Sequence, residues 1–151
     1  MASWGSCDFR ELKELNERIQ RAASQQQMDE FYTDLLDDMV NELHKNVIRR
    51  TPPGPTGLLK RSWFRTKAVR SGKAYRARIY NNVEYAPWVE NGHRQQPGRY
   101  VKAIGKRLVK SWVPGKFMLR NSVLEYQRKA PAHIKMKSEE FLRKMMGDGG
   151  T

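Results

Sequence analysis

An α+β fold is predicted by three features of the chain: two N-terminal segments with apolar residues at helical spacing, a proline-rich break after them, and a basic middle in which apolar and charged residues alternate at the period of a strand. The expected architecture is two N-terminal helices packed on a small, mainly antiparallel β-sheet, plus a C-terminal helix.

Asp8 followed by Glu11 has the spacing of a helix cap, since an Asp oxygen can accept a free backbone N–H while the later carboxylate reaches back. Phe9, Leu12, Leu15 and Ile19 then line one face, so a first helix is expected to run to about Ala23. Ser24 and Gln27 repeat the cap spacing. Met28, Phe31 or Tyr32, Leu35 or Leu36, Met39 or Val40, Leu43 and Val47 trace a longer second helix ending near Arg50. Thr51-Pro52-Pro53-Gly54-Pro55 must stop it, because proline cannot donate to the ladder and disfavours helix in the residue before it.

Beyond the break the period shortens to two. Tyr75, Ala77 and Ile79 fall on one side of a strand and Arg76 and Arg78 on the other, with residues 63–69 as the partner strand and 70–73 as the turn. Residues 91–106, with Pro97, three glycines and four Lys or Arg side chains, read as a flexible basic loop. A further strand is expected within 107–113. Phe117, Leu119 or Leu124, Val123 and Tyr126 predict a third helix over 116–128 that Pro131 stops. The expected organisation is therefore a disordered N-terminus over 1–7, one domain over 8–130, and a tail over 131–151 that is partly helical and ends in a disordered Gly-rich stretch from Gly147.

Charge is concentrated rather than spread. Residues 58–110 hold 14 Lys or Arg against two acids, Glu84 and Glu90, which is +12 of the chain's formal +13. A one-sign region of this kind favours a polyanion or an acidic protein face and says nothing of fold. Trp63, Tyr75, Tyr80, Trp88 and Tyr100 interleave with it, which supplies cations for phosphates and rings for bases; ordinary amphipathic patterning, with Tyr75 and Ile79 in the core, explains the same residues. Any nucleic-acid contact of such a surface is expected to run through phosphates and ignore sequence.

The catalytic classes lack their residues. His44, His93 and His133 stand alone, without metal-ligand spacing, and read as isolated surface histidines; no metal and no cofactor is expected. Glu84 and Glu90 read as ion-pair partners for the surrounding Arg and Lys rather than an acid and base pair. There is no phosphate-binding loop, nucleophile elbow or dinucleotide fingerprint, so no enzyme is expected. A single cysteine, Cys7, forms no disulfide framework and is assigned no role. No apolar run is long enough to span a bilayer and no export signal opens the chain, so no membrane partner is expected and cytoplasmic synthesis is.

Taken in order, Thr56-Gly57-Leu58-Leu59-Lys60-Arg61-Ser62 after the proline break, a strand, Val83-Glu84-Tyr85-Ala86-Pro87-Trp88-Val89-Glu90-Asn91-Gly92-His93, a basic Gly-rich loop, and Val113-Pro114-Gly115-Lys116-Phe117-Met118-Leu119 resemble the neck, head-to-tail joining or tail-completion proteins of long-tailed, siphovirus-type bacteriophages and prophages. The likeness spans roughly residues 9–128, and Tyr-Ala-x-x-Val-Glu-x-Gly is its most specific part. The resemblance implies a structural subunit forming a ring, a hexamer or dodecamer, around the DNA channel between head and tail. It further implies neighbouring head-completion and tail-terminator proteins as partners, non-specific contact with duplex DNA, assembly in the bacterial cytoplasm and residence in the virion. The runner-up is a small basic nucleic-acid-binding module. Expected assembly or partner-facing and DNA-facing residues are Arg61, Trp63, Arg76, Arg78, Tyr85, Trp88, Glu90, Arg94, Arg99, Lys102, Lys106 and Arg107. Within that set Tyr85, Trp88 and Glu90 are expected to form a fixed corner, and the 94–106 segment to order on assembly.

Overall fold

The computed structural model describes residues 9–147. Cys7, Asp8 with its expected capping role, and the chain beyond Gly147 lie outside the described residues. Two helices open the fold, α1 (Phe9–Ala22) and α2 (Gln25–Arg50). The box between them is complete: the Gln27 N–H donates to Ser24 Oγ at 3.2 Å and the Ser24 N–H to Gln27 Oε1 at 2.8 Å. A short turn of helix, α3 (Leu58–Arg61), follows the prolines.

Next comes a hairpin in two rungs. β1 (Trp63–Arg65) pairs antiparallel with β4 (Ile79–Asn81), and β2 (Val69–Ser71) with β3 (Ala74–Arg76). Thr66 bridges the gap, its N–H donating to the Arg78 carbonyl at 2.9 Å and its Oγ accepting from the Arg78 N–H at 2.9 Å. The two-residue period holds throughout: Tyr75, Ala77 and Ile79 are half-buried while Arg76, Arg78 and Tyr80 are exposed. A second hairpin follows α4 (Ala86–Asn91), formed by β5 (Gly92–Arg94) with β8 (Trp112–Pro114) and β6 (Tyr100–Val101) with β7 (Lys106–Arg107). The expected loop at 91–106 is thus strand-paired in the structure, and the expected strand within 107–113 splits into β7 and β8. The backbone explains both: Gly98 N–H to Leu108 O at 2.7 Å, Leu108 N–H to Arg99 O at 2.8 Å and Gln95 N–H to Ser111 O at 3.0 Å tie the rungs into one ribbon that composition alone does not reveal. The single expected sheet is four two-stranded antiparallel ladders.

The C-terminal helix corrects the chain's organisation. α5 (Met118–Gly147) passes through Pro131 without stopping. An internal proline forfeits a hydrogen bond and crowds the carbonyl of Gln127, a cost of about 3 kcal/mol. Packing outweighs it. Met118, Ser122, Tyr126, Ala130, Pro131, Ser138 and Leu142 are all buried along one side of the helix, and each fully buried large apolar side chain contributes about 1.5–3 kcal/mol. The residues expected as a tail after 131 therefore belong to the folded body.

Two cores result. Val47, Leu59, Trp63, Ala86 and Met118 join α2, α3, the first hairpin, α4 and the start of α5. Leu15, Ile19 and Leu142, with Phe31 stacked on Phe141 at a 4.5 Å ring separation, join α1, α2 and the end of α5. Trp63 sits in the first core with 7% of its surface exposed; its indole N–H donates to Thr51 Oγ at 2.8 Å, and that hydroxyl donates to the Val47 carbonyl at 2.6 Å.

Because Leu142 is 4% exposed, Leu142→Ala is expected to lower unfolding free energy in urea by about 2–5 kcal/mol. Met146→Ala, one turn further along α5 and 69% exposed, should stay within about 0.5 kcal/mol of the parent.

Candidate functional site

The outer face of the first hairpin is basic and aromatic. Strand alternation puts Arg76, Arg78 and Tyr80 on it, and pairing sets Phe64 opposite Tyr80, their rings 5.7 Å apart and both exposed. Phe64 also lines, with Leu58, Val83 and Tyr85, a shallow groove of about 420 Å³. Neither Phe64 nor Tyr80 was among the expected partner-facing residues, yet each lies an even number of residues from an outward-facing arginine or opposite one that does. The inner face makes a different contact. Arg70 Nη1 donates to Asp29 Oδ2 at 2.9 Å, Tyr75 Oη donates to Asp29 Oδ1 at 2.5 Å, and Gln25 Nε2 donates to the same oxygen at 2.9 Å, anchoring the hairpin on α2. The Tyr75 hydroxyl foremost, with Gln25 and Arg70 adding, holds the Asp29 carboxyl below its ordinary 3.8 against partial desolvation.

The expected corner divides into two parts with different roles. Glu90 is its structural part. Its Oε2 accepts the Leu119 N–H at 3.0 Å and its Oε1 the Arg120 N–H at 2.9 Å, so a carboxylate from α4 caps the start of α5. This corrects the expected ion pairs: among the described residues neither Glu84 nor Glu90 is in a salt bridge. The signal was present as an omission, for the Pro114-Gly115-Lys116-Phe117 lead into α5 contains no Ser, Thr, Asp or Asn to cap it. The main chain crosses itself here as well. Lys116 N–H donates to Val89 O at 2.8 Å and Phe117 N–H to Glu90 O at 3.1 Å. A Cβ on Gly92, at φ +82°, would lie 2.6 Å from the Val113 carbonyl oxygen, and one on Gly115 would collide with the backbone of Glu90 and Asn91. Tyr85 and Trp88 form the outward part, exposed, with Trp88 at 59% and its ring 6.2 Å from that of His93.

The ribbon gathers most of the remaining expected residues. Arg94 ends β5, Arg99 and Lys102 flank β6, and Lys106 and Arg107 form β7, all exposed. Arg107 Nη1 donates to the Gly98 carbonyl at 2.8 Å, and Tyr100, Ile104, Val109 and Trp112 are exposed between the charges. Arg61 lies apart on α3, exposed, donating to the Thr56 carbonyl at 3.1 Å. Trp63 is not at the surface at all and offers no ring to a partner.

Of the 14 basic residues in 58–110, Arg70 alone is in a salt bridge among the described residues. Elsewhere acids are engaged: Glu125 lies between Arg50 and Lys129, the Arg50 guanidinium foremost in holding its carboxyl below the usual value. The histidines are not surface residues as expected. His44 Nε2 lies 2.9 Å from the Trp63 carbonyl, His133 Nδ1 lies 2.9 Å from Tyr126 Oη, and His93 is half-buried. Among the described residues no group of three or more His, Cys, Asp or Glu could hold a metal, and no helix is long and apolar enough to cross a membrane.

A family model described as "Bacteriophage HK97-gp10, putative tail-component" matches residues 13–92, just over half of the chain. The matched stretch runs from α1 through the first hairpin and α4 to the first residue of the ribbon. No curated protein and no solved structure matches the chain.

Removing the cap with Glu90→Ala should cost about 1–3 kcal/mol, whereas Trp88→Ala should stay within about 0.5 kcal/mol in the isolated subunit; thermal unfolding of the two variants checks this. Asp29 has a lowered folded-state pKa, so its contribution is complete above the unfolded value of about 3.8 and is lost as pH falls through the lower folded value. The urea-midpoint gap between the parent and Asp29→Asn is therefore expected to be constant above about pH 5 and to close progressively below 3.8.

Proposed function

The chain belongs to the HK97-gp10-like family of bacteriophage tail components, and on that premise we propose that it is a subunit of the neck, forming a closed ring around the DNA channel and joining the tail to the DNA-filled head. The observation that carries this reading is the basic sector left without carboxylate partners: a free subunit holding +12 in 58–110 with one internal ion pair is built to be neutralised by something else. Exposed aromatic and arginine side chains, Phe64, Tyr80, Trp88, Arg76 and Arg78, supply the anchors that protein interfaces use. The ring is hexameric or dodecameric, its neighbours are the head-completion and tail-terminator proteins, and duplex DNA passes through it without base readout. The role is structural, without catalysis, and the place of action is the virion after assembly in the host cytoplasm. The ribbon, strand-paired within the subunit, is the segment that reaches a neighbouring protein on assembly.

A second reading, a nucleic-acid-binding module, is supported by one observation, the alternation of Arg76 and Arg78 with exposed Tyr80 and Phe64 on one face. Disrupting the gene distinguishes the two. The neck reading expects DNA-filled heads and finished tails that accumulate unjoined, with labelled protein at the head–tail junction of parental particles. Normal particles from the disrupted phage, together with duplex binding by the isolated protein that weakens steeply with salt, would select the module instead.

A further inference from the structure

We propose that the ribbon tip of one subunit docks in a groove between α2 and α5 of the next copy of this chain, making the lateral, head-to-tail contact of the assembly. The inference rests on the ring reading above and names the surfaces that make it.

The groove has a volume of about 460 Å³. Phe31 and Leu35 from α2 and Phe141 and Met145 from α5 provide its apolar lining. Four acids and two lysines complete the lining, but Lys137 reaches Asp38 at 3.6 Å and Lys144 reaches Glu140 at 4.0 Å. Glu30 and Asp34 remain without a cationic partner among the described residues. Their setting reinforces this: residues 24–44 hold six acids and no Lys or Arg.

The ribbon tip has the opposite chemistry. The turn between β6 and β7 presents Ile104, 55% exposed, between Lys102 and Lys106, and is closed by Gly105 N–H donating to Val101 O at 3.0 Å. Residues 94–110 hold six basic side chains and no acid. An apolar knob flanked by two ammonium groups matches an apolar trough flanked by two unpaired carboxylates. No residue of the ribbon lines the groove within the subunit, so the match is made between copies. Knob and groove are different patches, and such a heterologous contact closes into a ring when its rotation permits. Burial of the knob contributes affinity, while the charges set register and speed encounter.

The test uses phage particles carrying the full chain. In a Cys7→Ser background, Ile104→Cys and Asp34→Cys in one chain should give, with a bismaleimide, a ladder of covalent multimers, and either cysteine alone should give none. Separately, Lys102→Glu with Lys106→Glu should lower the yield of joined particles about tenfold or more. Adding Glu30→Lys and Asp34→Lys to the same chain should restore that yield. All four positions are exposed, so melting of the isolated subunits should be unchanged. Particles that carry the protein at the neck yet give no ladder would overturn this contact and leave the neck reading standing. Unrestored yield together with lost duplex binding by the isolated charge variant would assign the tip to DNA and likewise overturn it. Joined particles devoid of the protein would overturn the neck reading and this contact with it.

Discussion

The crossing of two chain segments at Glu90, Gly92 and Gly115 is the constraint on which the arrangement of the working surface depends. The Glu90 carboxylate caps α5 while the backbone between α4 and β5 passes against the backbone between β8 and α5, closely enough that neither glycine can carry a side chain. One place thereby sets where the longest helix starts, where the ribbon is rooted, and which way Trp88 faces. A carboxylate at an otherwise uncapped helix start does this well, since it satisfies two orphan N–H groups and meets the positive end of the helix dipole.

From this root the molecule separates its functions by depth. Trp63, bonded to Thr51 and packed on Val47 and Met118, holds the hairpin to α2, and the Asp29, Arg70 and Tyr75 cluster holds its far end. The inner faces are thus committed to the fold, which leaves the outer faces free for partners. Charge is separated in the same way. Several acids of α2 and α5 are drawn into bonds within the subunit, Asp37 accepting the Ala68 N–H at 2.6 Å and Glu125 meeting arginines of α2, while among the described residues the cations of hairpin and ribbon other than Arg70 are in no salt bridge. Such a concentration of one sign destabilises an isolated subunit through self-repulsion and steers it toward complementary surfaces, a balance suited to a phage tail component.

Local rules were legible where the interaction is local. The Ser24 and Gln27 box, the end of α2 at Arg50 and the alternation of Tyr75, Ala77 and Ile79 with Arg76 and Arg78 all follow from contacts within a few residues. Pro131 shows the limit of such reasoning: its local preference is to break a helix, but the surrounding turns are buried against α1 and α2, and their combined packing exceeds what one proline costs. The ribbon shows another limit, because its pairing is backbone to backbone between residues whose side chains carry no strand pattern.

The amino-acid sequence alone determined the α+β class, the two leading helices, the direction of the first hairpin and the basic character of the middle third, since each depends on composition or on neighbours a few positions apart. Tertiary structure alone decided that Trp63 is core while Phe64 and Tyr80 are surface, that Glu90 is a cap rather than an ion-pair partner, that α5 continues to Gly147, and that an acidic groove and a basic knob lie on different parts of one subunit. The physical reason is the same in each case: burial, capping in trans and surface complementarity are properties of residues brought together from distant positions, 29 apart for Glu90 and Leu119, and no period or motif within either segment encodes the meeting.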